Sequence, residues 1–141
     1  MNSNGNSPSY VDVHCHILPG LDDGALDMSM ALSMARIAAA DGVGLMVATP
    51  HIQPGVYDNT PEIIEETAVR LRKQFQKAEV EMALRVAAEV RVGPHVLGML
   101  RSGRLPAYNT SGPRRYVLLE FSHDGITPGS QYLIELLIRQ G

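Results

Sequence analysis

Tryptophan is absent from these 141 residues, cysteine occurs once and phenylalanine twice. A lone cysteine, Cys15, rules out an intrachain disulfide, and such usage does not point to a secreted, cystine-stapled fold. It also argues against a structural zinc site, which more often uses several thiolates. Positive charge is short as well, with 12 Lys and Arg against 15 Asp and Glu and a net charge of −3. No basic face is implied, so no nucleic-acid partner is expected. No apolar run reaches the roughly 18 residues of a membrane helix, and no membrane insertion is expected. The opening "MNSNGNSPS" lacks the charged start and apolar run of a signal peptide. Residues 1–9 read as a flexible tail, the remaining length is enough for one domain with a moderate core, and the expected location is cytoplasmic.

What is present is a globular composition, 45% hydrophobic and 19% charged. Tyr10 to Ile17 reads as a strand, with Val11, Val13 and Cys15 on one face and Asp12, His14 and His16 on the other. Val11 and Val13 mark it as a buried strand. Asp27 caps a helix carrying Met28, Ala31, Leu32, Ala35 and Ala38 at helical spacing, closed by Gly42. Val43 to Thr49 is a short apolar run, as in a strand buried on both faces. Thr60 and Pro61 start a second helix with Ile64, Ala68, Leu71 and Phe75 in its stripe. Met82 to Val90 and Tyr116 to Ser122 read as the third and fourth strands. Pro94 to Leu100 reads as a short helix, and Pro128 to Gln140 as a final one. Strands alternating with helices predict an α/β fold with parallel strands, in an open sheet or a barrel.

The polar residues collect at strand ends. His14, His16 and Asp23 follow the first strand, His51 the second, Glu89 ends the third and Glu120 lies near the end of the fourth. In parallel α/β folds the carboxyl ends of strands are where sites are built. His14 and His16 are two apart, so their Cα atoms lie about 6 to 7 Å apart on one strand face, within reach of one divalent ion. Imidazoles mixed with carboxylates suit manganese, iron or zinc. Cys15, between the two histidines, is expected to be a small core residue and not a ligand. Other readings stand beside these. Glu89 can pair with Arg91 or Arg85, and Glu120 with Arg114 or Arg115. Asp22 and Asp23 can form only a turn, and His95 and His123 read as ordinary packed or surface histidines.

Four stretches carry a likeness in this order and spacing: "DVHCHILPGLDDGA", "ATPHIQPGVYDN", "AAEVR" and "VLLEFS". Together they resemble the PHP (polymerase and histidinol phosphatase) superfamily. Within it they are similar to the bacterial manganese-dependent tyrosine phosphatases encoded with capsule and exopolysaccharide genes. The resemblance runs from Tyr10 to the end of the chain. It implies a distorted seven-stranded β/α barrel, a (β/α)7 variant, of which about the first four β/α units are present here. It implies up to three Mn2+ ions, Fe or Zn being alternatives. His14 and His16 would bind the first, Glu89 would bridge the first and second, Glu120 would help bind the second, and Asp23 and His51 would bind the third. Asp23 and Glu89 would be the catalytic carboxylates. The implied substrate is a phosphotyrosine protein, the tyrosine kinase of a polysaccharide-export system, whose dephosphorylation regulates capsule or exopolysaccharide synthesis. The likeness also implies a later His beside an Arg and an Asp-x-His pair, which these residues do not contain. The chain is therefore expected to be the N-terminal part of such a domain, with fewer ions and an unstable or oligomeric state. Two further functions stay open: another PHP phosphoesterase acting on a small phosphate ester, and a non-catalytic metal-binding remnant.

Overall fold

The computed structural model describes residues 10–108 and 112–140. The tail proposed for residues 1–9 lies outside them. The elements run β1 (Tyr10–Cys15), α1 (Met28–Ala40), β2 (Val43–Ala48), β3 (His51–Ile52), α2 (Pro61–Lys77), β4 (Ala83–Val86), β5 (Glu89–Arg91), α3 (His95–Arg101), β6 (Leu118–Glu120) and α4 (Ser130–Arg139). This is the α/β pattern read from the sequence, with all named strand pairs parallel.

Local chemistry sets the helix ends. The Asp27 carboxylate accepts from the Met30 N–H at 2.8 Å and starts α1. After α1 the chain turns through Gly42 at φ 91°, a conformation that disfavours any side chain. Thr60 caps α2 through the Ile63 N–H, and Pro61 occupies its first turn. Ile64, Ala68, Leu71 and Phe75 are buried along one side of α2, as the stripe predicts, together with Thr67. Each of the larger side chains contributes roughly 1.5–3 kcal/mol by leaving water.

The strands depart from the sequence reading in two ways. The third predicted strand, Met82 to Val90, is broken into β4 and β5 at Ala87–Ala88, and beyond the second, whose predicted end is Thr49, a further short strand, β3, follows Pro50. One sheet has the order β1-β2-β4 and the other β3-β5-β6. Hydrogen bonds bridge the break, from Ala87 N–H to Ala48 O at 2.9 Å and from Glu89 N–H to Pro50 O at 3.1 Å. The chain thus steps from one sheet to the other while staying paired, and His51 comes opposite Glu89, and Arg91 opposite Glu120.

The second departure lies in β1. Asp12 pairs with Met46 and Cys15 with Ala48, three residues spanning what two span on β2. This bulge breaks the simple alternation. Cys15 does not share the face of Val11 and Val13 but packs partly buried against the core. Val11 and Val13 are not buried; each is 54% exposed. They line an open groove of about 410 Å³ with Leu45, Val47, Val86 and Tyr116. The helices α1 and α2 pack on the other side of this sheet, where Met46, Ala48, Ala31, Ala35, Ala68 and Leu71 form the core. Among the described residues no helix is long and apolar enough to cross a membrane.

Candidate metal centre

The loop after β1 determines where His16 sits. The Ala25 N–H returns to the His16 carbonyl at 2.9 Å, and the Gly20 N–H bonds the Ala25 carbonyl at 2.8 Å. Ile17, Leu18 and Ala25 are fully buried beneath this turn. Gly24 crosses so close that a Cβ there would stand 2.0 Å from the His16 carbonyl oxygen. Only glycine fits that crossing.

His14 and His16 then face Glu89 from the neighbouring sheet. Their Nε2 atoms lie 3.0 and 3.1 Å from Glu89 Oε2 and 3.2 Å from each other. His51 Nδ1 lies 3.6 Å from Glu89 Oε2 and 3.4 Å from Glu120 Oε2, while its Nε2 is 3.6 Å from Asp23 Oδ1. Three overlapping donor groups result: His14, His16 and Glu89; His16, Asp23 and His51; His51, Glu89 and Glu120. All six residues singled out in the sequence are brought together. Asp23 is the most open of them, with its side chain 64% exposed. His123 is exposed and His95 lies on α3, so neither joins the cluster.

Asp22 has a different place from its neighbour. Its side chain is fully buried, and Oδ2 lies 2.8 Å from His16 Nδ1 while also accepting the His51 N–H at 2.9 Å. Oδ1 accepts the Gly24 N–H at 3.0 Å. Asp22 therefore stands behind His16 and turns its other nitrogen toward Glu89, the carboxylate–histidine arrangement that orients metal ligands. The bond to Asp22 is the main cause of a raised His16 pKa, against the lowering effect of burial. Burial raises the Asp22 pKa, but the bonds from His16, His51 and Gly24 prevail and hold it below its ordinary value.

Further residues that the sequence did not mark complete the surroundings. Tyr57 stacks on His51 with ring centres 5.2 Å apart and planes 8° from parallel. The Asn59 amide donates to the Leu21 and His51 carbonyls at 2.9 and 2.8 Å, tying the two loops. The Tyr108 hydroxyl donates to the Val13 carbonyl at 2.6 Å. Arg91, which the sequence reading did mark, but as a partner for Glu89, pairs instead with Glu120 at 3.0 Å. Cys15 belongs to none of the donor groups, and burial first, then Asp12 and Asp22, push its thiol up to about 11.

The cluster could hold cations. His51 Nδ1 and Glu120 Oε2 are both buried and lack a hydrogen-bond partner, although they face each other. Two such groups left unpaired away from water are costly, and a divalent ion between them would satisfy both. The imidazole and carboxylate donors suit manganese, iron or zinc, and the fit is good.

Fold and cluster together describe an α/β protein whose histidine–carboxylate groups could hold metal ions. Comparison with known proteins makes this specific. The family model for capsular polysaccharide synthesis, CpsB/CapC, matches residues 10–134, and the chain belongs to that family. It is 36% identical over 116 residues to the tyrosine-protein phosphatase YwqE of Bacillus subtilis (strain 168), covering 82% of this chain and 44% of YwqE. It is 27% identical over 112 residues to the tyrosine-protein phosphatase CpsB of Streptococcus pneumoniae, covering 79% of this chain and 45% of CpsB. A crystal structure from a study of YwqE and CpsB, described as unique metal-dependent tyrosine phosphatases, superposes with a TM-score of 0.85 at 34% identity. The match covers 94% of this chain and 52% of that one. The chain spans about half the length of these relatives.

Proposed function

We propose that this chain provides part of the metal centre of a protein-tyrosine phosphatase that hydrolyses phosphotyrosine on a polysaccharide-export tyrosine kinase and so regulates capsule or exopolysaccharide synthesis. The observation that carries the reading is Glu89, which is shared by two donor groups in a member of the CpsB/CapC family. In this reading the two sheets are the first four or so units of a PHP-type distorted barrel. The cation is Mn2+, the location cytoplasmic, and the ligands His14, His16, Asp23, His51, Glu89 and Glu120. Bound divalent ions would supply charge neutralisation of the phosphoryl oxygens and a nucleophile at neutral pH.

The chain's own residues do the rest. Asp22 fixes the His16 ring so that Nε2 points at Glu89. Glu89 stands between the His14/His16 side and the His51/Glu120 side, so one carboxylate can join two ions. Asp23, the exposed carboxylate, lies at the solvent edge, where a phosphate ester would arrive. No thiolate is used, in keeping with the high pKa of Cys15.

The test uses the whole protein that carries this sequence. Bound Mn2+ and hydrolysis of a phosphotyrosyl peptide and of histidinol phosphate are measured for wild type and Glu89→Gln. The expected result is Mn2+-dependent cleavage of the peptide in preference to histidinol phosphate, with both uptake and cleavage lost in the variant. Equal metal uptake by Glu89→Gln would overturn the site. A preference for histidinol phosphate would overturn the substrate.

A further inference from the structure

We propose that Arg91 is a positioning residue for Glu120: it holds one carboxylate oxygen so that the other is presented, singly, to a cation beside His51. This rests on the metal reading above and deepens it.

Arg91 on β5 and Glu120 on β6 are register partners. Arg91 Nη2 donates to Glu120 Oε1 at 3.0 Å and to Gln53 Oε1 at 3.1 Å. Nη1 donates to the Phe121 carbonyl at 3.1 Å. The guanidinium therefore spans from Gln53, just beyond β3, to the end of β6. Both side chains are largely enclosed, at 18% and 15% exposure. An arginine that clamps substrate phosphate presents open N–H groups to it. Here both terminal nitrogens are engaged by the protein, and Nε is buried without a partner. Arg91 is thus directed at the site's framework and not at substrate.

The consequence falls on Glu120. With Oε1 taken, only Oε2 remains, and it lies 3.4 Å from the equally unpartnered His51 Nδ1. A freed carboxylate would rotate, chelating one ion with both oxygens or turning to water. Lysine cannot replace the hold, because one ammonium lacks the planar fork that meets three acceptors at once. Outer partners of this kind are typically worth about 10–100-fold in metal affinity.

The experiment measures Mn2+ affinity and stoichiometry by calorimetry, with electron paramagnetic resonance of the bound ion. Wild type, Arg91→Lys, Arg91→Met, Glu120→Gln and the Arg91→Met/Glu120→Gln double variant are compared, each with its melting temperature in chelator. The expected result for both Arg91 variants is affinity lowered about 10–100-fold for one class of ion, with an altered resonance spectrum. Uptake by the His14/His16 class should be unchanged, and the double variant no weaker than Glu120→Gln alone. If Arg91→Met does not fold, Gln53→Ala removes one anchor of the guanidinium and should weaken the same class. Wild-type affinity and spectrum in Arg91→Lys would overturn the proposal, as would fully additive losses in the double variant. Unchanged binding in Glu120→Gln would instead overturn the metal role of Glu120, and this inference with it.

Discussion

Asp22 and Asp23 are adjacent, yet one is sealed under the loop and the other projects into solvent. Their difference is testable. Asp22→Asn removes the negative charge behind His16 and disturbs the acceptors for the His51 and Gly24 N–H groups. Expected are a metal affinity lower by about 10–100-fold and a stability loss of about 1–3 kcal/mol, read by calorimetry and denaturant titration. Gly24→Ala is harsher, because the new Cβ meets backbone and not a movable side chain. The turn must open, so Gly24→Ala should lose Mn2+ uptake by the His14/His16 group while retaining its far-ultraviolet dichroism. Uptake equal to wild type would show that the turn has room. At this scale the sequence was informative about donors and silent about their supports. His-x-His spacing and strand-end carboxylates are local patterns, and all six donors converge. The Asp22–His16 and Arg91–Glu120 bonds have no sequence period, and become visible only when the loop and the second sheet are in place.

Among the elements, the helices were the most legible, because caps act within one turn. Asp27 and Thr60–Pro61 mark the starts of α1 and α2 directly. The strands were less so. The sequence reading ends the second strand at Thr49 and marks no β3, because His51–Ile52 is a strand only through its pairing with β5. The bulge in β1 likewise inverts the expected company of Cys15, and only the register with β2 reveals it. On α3, burial holds the His95 pKa below its ordinary value, partly offset by a hydrogen bond to the Arg91 carbonyl. The folded chain thus keeps His95 neutral where the unfolded chain takes up a proton. Its contribution is complete above about pH 6.5, the unfolded value, and is lost as pH falls toward the lowered folded value. His95→Gln should therefore show a smaller drop in melting temperature between pH 7 and pH 5 than wild type. An identical drop would remove His95 from the account.

For the whole molecule, the feature that bears on behaviour in solution is the face of the β1-β2-β4 sheet left open among the described residues. Parallel sheets are normally covered on both faces, yet Val11 and Val13 stay half exposed on an apolar groove. Contiguous apolar surface of this kind drives association. The 141-residue chain should self-associate with rising concentration in sedimentation velocity, and Val13→Lys should shift it toward monomer. A monomer at all concentrations would show that this groove is not adhesive.

The matched breaks at Thr49–Pro50 and Ala87–Ala88 bear on how such a gene can change over time. Side chains alternate along a strand, so one codon gained or lost beside either break moves His51 or Glu89 out of opposition. The same change at both breaks brings His51 and Glu89 opposite each other again but shifts β5 against β6, so Arg91 no longer meets Glu120. A length change at either joint therefore disturbs the register that brings the donors together. The helices α1 and α2, which pack on the other side of the first sheet, carry no such constraint on the cluster.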